Sequence, residues 1–115
     1  MDGIYSVYMA GQAGVSQALL LIKDGILVGA DVGGLKYDGE IEAKPDGTGF
    51  SCSVVYVIPA GASLITTANS PTEAMQIPLK FELPIDFAQG APIRIETPLG
   101  PVNARFEKLR SLDNV

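Results

Sequence analysis

The 115-residue chain has no histidine and no tryptophan, one cysteine, and eight basic residues against thirteen acids. Without histidine no Ser-His or Cys-His pair can form, and the usual proton shuttle at neutral pH is missing. A lone cysteine makes neither an internal disulfide nor, by itself, a structural zinc site. The formal net charge of −5 lacks the cationic footprint that displaces counterions from nucleic acid. Any effect on gene expression is therefore expected to run through another protein. The longest apolar stretch, residues 18–22, falls far short of the roughly 20 residues of a membrane-spanning helix. The opening "MDGIYSVYMA" has neither the basic nor the apolar region of a signal peptide. The expectation is a cytoplasmic, non-enzymatic protein that needs no cofactor and binds neither membrane nor nucleic acid directly.

What the chain does have is glycine (13 residues), proline (8) and 47% hydrophobic positions, enough for one core in a single domain over residues 1–115. The pattern is that of a β-protein. "GIYSVYMA" is short and β-rich, and "GQAG" supplies a turn. "VSQALLLIK" then runs into Asp24-Gly25, a dipeptide suited to a two-residue hairpin, and "ILVGADV" returns from it. Gly33-Gly34 break the run. "LKYDGEIEAK" sets Leu35, Tyr37, Gly39, Ile41 and Ala43 against Lys36, Asp38, Glu40, Glu42 and Lys44, the period-two pattern of a half-buried strand.

Pro45-Asp46-Gly47 marks a further turn. "GFSCSVVYVI" follows with Phe50, Cys52, Val54, Tyr56 and Ile58 on one face, which makes Cys52 a small buried hydrophobe and not a reactive thiol. Residues 59–74 lose the pattern, leaving open a short strand at "SLITTA" or one helical turn at "SPTEAM", with Ser70 as cap and Pro71 in the first helical position. "MQIPLKFELPI", "APIRIET" and "PVNARFEKL" are three more alternating strands joined by the short connections 86–90 and 98–101. Pro78 cannot donate to a ladder and points to an edge or a bulge. Roughly eight short antiparallel strands with short loops predict an all-β up-and-down barrel, a lipocalin-like closure that removes its own edges, with a two-sheet sandwich as the alternative.

The stretch from Asp24 to Gly47 carries most of the charge. Asp24, Asp31, Asp38, Glu40, Glu42 and Asp46 stand against Lys36 and Lys44, a net −4 of the chain's −5. Its glycines do not form a phosphate loop, because "GADVGG" leads into an alternating strand where a helix N-terminus is required. "DVGGLKYDGEIE" has the acids of a calcium loop but places Lys36 and Tyr37 among them and spreads its carboxylates along a strand face. Asp38 with Glu40 is a carboxylate pair of the kind used in acid–base chemistry, but on a strand surface such a pair is more often solubilising charge.

The stretches "DGIYSVYM", "LLLIKDG" and "ILVGADVGGLKYDGEIE" together resemble the GrlR family, negative regulators associated with type III secretion in Gram-negative bacteria. The resemblance covers about the first fifty residues and continues beyond them only as a pattern of strands. It implies a lipocalin-like barrel, often a homodimer, that sequesters a transcription activator without touching DNA. In the regulator that names the family an acidic run after Tyr-x-Gly is the suspected contact. Here the matching positions after Tyr37-Asp38-Gly39 read "EIEAKPDG", with Lys44 among dispersed acids.

Two functional readings follow. In the first, a regulatory binding protein holds a basic protein partner on the acidic surface of Asp38, Glu40, Glu42 and Asp46; the plainer alternative is that these acids only solvate a strand face. In the second, a barrel of about eight strands carries one small apolar ligand, lined by Tyr37, Phe50, Tyr56, Phe81 and Phe106; the plainer alternative is that these rings fill the interior.

Overall fold

A computed structural model describes residues 1–67 and 69–114. Alternation becomes eight strands: β1 (Gly3–Gly11), β2 (Gly14–Lys23), β3 (Ile26–Asp31), β4 (Lys36–Ala43), β5 (Gly49–Ile58), β6 (Met75–Pro84), β7 (Ile93–Thr97) and β8 (Gly100–Ser111). Every pairing is antiparallel, in the order β6-β5-β4-β3-β2-β1-β8-β7. Each strand except β6 thus pairs with its successor, and β8 returns to β1. β6 and β7 approach each other without ladder hydrogen bonds, so the barrel is nearly closed. The up-and-down barrel predicted from the pattern is the fold, and the sandwich is not.

Turn chemistry sets the register where strands are closest in sequence. Asp24 (φ 50°) and Gly25 (φ 81°) both take positive φ, the requirement of a two-residue hairpin whose twist matches its strands. The hairpin Lys23↔Ile26 follows directly. Gly39 answers a different need, because a Cβ there would lie 2.1 Å from the Ser53 carbonyl oxygen and 2.6 Å from the Val54 Cα. Only a residue without a side chain lets β4 and β5 run this close. Pro78 lies on β6, at the open edge, where a missing N–H is least costly.

Inward positions build the main core. Tyr5, Val7, Ala18, Leu20, Ile22, Leu27, Tyr37, Ile41, Phe50, Cys52, Val54, Leu79, Leu83, Ile95, Ala104 and Phe106 are all buried in it. Cys52 sits in this row as expected, and burial pushes its thiol up to about 12.

Two segments read as connections turn out to close the barrel's ends. Residues 59–67 run as a strap over one mouth, where the Ala13 N–H donates to the Ile65 carbonyl at 2.7 Å. Ile58, Ala62 and Ile77 form a small second core beneath it with Leu35, Leu64 and Leu99. Neither the short strand nor the helical turn left open for 59–74 forms among the described residues; Ala68, the last residue of "SLITTA", lies outside them. The strap's backbone instead pairs locally, Gly61 N–H to Pro71 carbonyl and Ala62 N–H to Pro59 carbonyl. At the other mouth the connection 85–92 turns Phe87 inward, 4% exposed, against Tyr5, Phe50 and Phe106 with ring centroids 5.3 to 5.6 Å apart. That connection is a plug, because the open end of an apolar barrel needs an apolar side chain over it.

Candidate functional site

The acids of β4 alternate outward by the pleat alone. Asp38, Glu40 and Glu42 are exposed on the outer face while Tyr37 and Ile41 are buried inside. Their cross-strand neighbours are small on β5: Val55 beside Asp38, Ser53 beside Glu40, and Ser51 beside Glu42. Beyond β5 the register adds Lys80 next to Ser53 and Glu82 next to Ser51. The result is a shallow exterior groove of about 690 Å³, its floor made by Ser51 and Ser53 and its walls by Glu40 and Glu42 on one side and Lys80 and Glu82 on the other.

Charges within the groove are partly matched. The Lys44 ammonium donates to Glu82 at 2.9 Å, and this hydrogen bond raises the lysine's pKa. Asp38, Glu40 and Glu42 make no ion pair among the described residues. Asp46 stands apart from them in the β4–β5 turn. Its Oδ1 accepts from the Thr48 hydroxyl at 2.7 Å and the Thr48 N–H at 3.0 Å, which lowers its pKa. The structure therefore brings together three of the four predicted acids and ties the fourth into a turn. Glu82 and Lys80, absent from the predicted set, join the groove because β6 pairs with β5, a contact between residues about thirty apart in sequence.

The barrel interior is nearly full. Tyr37, Tyr56, Phe81 and Phe106 border an apolar cavity of about 40 Å³ together with Val7, Leu20 and Leu27, space on the order of a single water. Phe50, the fifth predicted lining residue, does not border this cavity; it belongs to the aromatic cluster around Phe87. Tyr37 and Tyr56 meet edge to face with centroids 5.0 Å apart. They separate this void from a second one of about 40 Å³ under the strap, which both also line.

Asp31, which is not among the predicted site residues, governs that end of the barrel. Its Oδ1 accepts from the Gly33 and Leu35 N–H groups at 2.9 and 3.0 Å, and its Oδ2 accepts from the Tyr37 hydroxyl at 2.6 Å. One carboxylate thereby holds the Gly33-Gly34 turn and orients a core phenol. Burial, with the Asp31 bond and charge, raises the Tyr37 pKa, and burial pushes Tyr56 up to about 12. An Asp-x-Gly spacing followed by an inward Tyr is the signal that would have found it.

Among the described residues no three acidic or cysteine side chains converge as a metal site would require. No helix there is long and apolar enough to cross a membrane. Comparison with known proteins finds no match: no family model, no curated protein and no solved structure.

Proposed function

We propose that this chain is a non-enzymatic regulatory binding protein that holds a basic protein partner on the exterior groove of β4, β5 and β6. The carrying observation is that Glu40 and Glu42, carboxylates with no ion pair among the described residues, line a groove floored by the small hydroxyl side chains of Ser51 and Ser53. Such a surface attracts lysine and arginine side chains and offers hydrogen bonds at its base. The resemblance to GrlR-type negative regulators of type III secretion supports the same reading, with a transcription activator as the partner and the cytoplasm as the setting. The alternative of an apolar-ligand carrier finds less support, since the interior voids are each about 40 Å³.

The test is affinity capture from the native host with wild type and with Glu40→Gln, Glu42→Gln and Glu82→Gln combined. The wild type is expected to retain a basic protein at about 50 mM salt and lose most of it at about 300 mM, as screening of exposed charges requires. The triple variant is expected to retain at least roughly tenfold less at low salt. An identical set of captured proteins from both chains would remove the groove from consideration.

A further inference from the structure

The outer face of β8, β1 and β2 differs from the β4–β6 surface in its charge. Two cross-strand rows form it: Arg105, Tyr8 and Gln17 in one, Asn103, Ala10 and Val15 in the next. The Val32 N–H donates to the Gln17 carbonyl at 3.0 Å and extends the first row by one apolar side chain. Together they border an open groove of about 570 Å³, in which Tyr8, Val15 and Val32 stand 53%, 79% and 79% exposed. The chain has thirteen acids and eight basic residues, yet among the described residues no acid lines this groove and Arg105 is the one charge that does. The Arg105 Nε–H donates to the Gly90 carbonyl at 3.1 Å, which fixes the guanidinium at the β8 end of its row. Its two terminal nitrogens make no hydrogen bond or ion pair among the described residues. Glu107, two residues on, borders only the adjoining hollow.

We propose that this face docks an acidic amphipathic helix of a partner protein, its apolar stripe on Tyr8, Ala10, Val15 and Val32 and an Asp or Glu side chain on the Arg105 fork. Terminal N–H groups held in one plane match the two oxygens of a carboxylate. β1, β2 and β8 are each paired on both sides, so their backbone offers no free edge to an added strand. Recognition here therefore falls to side chains, as when a helix lies in a groove. The row from Arg105 to Val32 crosses four strands, roughly 15 Å at about 4.8 Å per step, which is the length of about ten helical residues. The net charge of −5 does not oppose an acidic partner at this place. β8 lies four strands from β4, on the opposite wall of a molecule whose shorter extents are 25 and 24 Å. The β4 acids thus act on Arg105 from beyond the roughly 10 Å over which exposed charges interact at about 0.1 M salt. With the β4–β6 groove facing the other way, one chain can join a basic partner to an acidic one. The docking of the acidic helix does not itself depend on the basic-partner reading.

The probe is a display library of helical peptides of about 18 residues, apolar at i, i+3, i+4 and i+7 and randomised beside that stripe, selected on the immobilised full chain. Selection is expected to enrich Asp or Glu beside the stripe. In amide NMR spectra of the full chain the enriched peptide is expected to shift Tyr8, Ala10, Val15, Val32 and Arg105 and to leave Glu40 and Ser53 in place. Arg105→Gln and Tyr8→Ala are each expected to weaken it by about tenfold, with the circular dichroism spectrum of the wild type. Arg105→Glu is expected to prefer the same peptide with its acids changed to lysine. No enrichment, an enriched peptide that is basic or that Arg105→Glu binds equally well, or shifts confined to the β4–β6 groove would overturn the proposal. So would a second copy seated on this face, read as a sedimentation mass of twice 12.1 kDa that Val15→Asp halves. Loss of salt-sensitive capture with acidic-peptide binding preserved counts against the β4–β6 groove alone.

Discussion

Phe87→Ala tests whether the connection between β6 and β7 is core or merely linker. Phe87 is 4% exposed and touches three rings at centroid distances of 5.3, 5.6 and 5.4 Å. Truncating a buried Phe costs about 3–5 kcal/mol, transfer of the ring plus the cavity left behind. Three aromatic neighbours held by separate strands leave little room for collapse, so the expected loss is about 4 kcal/mol. Against a total of about 5–15 kcal/mol for a domain, that is a large share. The melting temperature should fall by roughly 12–20 °C at this chain length. Urea unfolding followed by circular dichroism reads it directly, with the midpoint lowered and the slope kept. Ile85→Ala in the same connection is the control, since Ile85 is 59% exposed and should stay within about 0.5 kcal/mol of wild type. A loss below about 1.5 kcal/mol for Phe87→Ala would refute the plug.

Gly39→Ala is expected to destabilise by more than about 2 kcal/mol in the same urea assay, because the new methyl meets the β5 backbone at 2.1 Å; a neutral result would mean that β4 and β5 separate freely. Asp31→Ala removes the acceptor of two turn N–H groups and of the Tyr37 hydroxyl and should cost about 2–3 kcal/mol, whereas Tyr37→Phe, which leaves the turn bonds in place, should cost about 1. Equal losses from the two variants would contradict the assignment. High pH gives a fourth test. Tyr56 and Cys52 are each pushed up to about 12 by burial, above their unfolded values, so the folded chain holds protons that the unfolded chain releases. That stability is full below about pH 9 and is lost as pH rises towards 12; a urea midpoint constant from pH 9 to 11 would contradict the burial.

The strands were legible because their cause is local. Period-two alternation in "LKYDGEIEAK" and "GFSCSVVYVI" assigns inward and outward faces without knowledge of any partner strand, and Asp24-Gly25 fixes one hairpin register by its own dihedral preferences. Asp38, Glu40 and Glu42 on one outer face follow from the same rule. Glu82 and Lys80 could not be added, since only the β5–β6 register brings them to the groove. Phe87 escaped for a related reason: one aromatic between turn residues carries no periodicity, and its burial depends on an opening formed by strands distant in sequence. Asp46 was grouped with the β4 acids by proximity in the chain, but its carboxylate belongs to the turn through Thr48.

The strand inventory, the inside and outside of each strand, the key hairpin and the lack of any imidazole all follow from side-chain type and spacing along the chain. The plug at one end and the strap at the other, interior voids of about 40 Å³ each, and the apolar neighbours that ring the outward leucines of β2 emerge only in the folded barrel. Those are properties of closure. They arise when strands far apart in the chain curve onto each other, and no local pattern encodes how much space remains inside or which outer rows fall side by side.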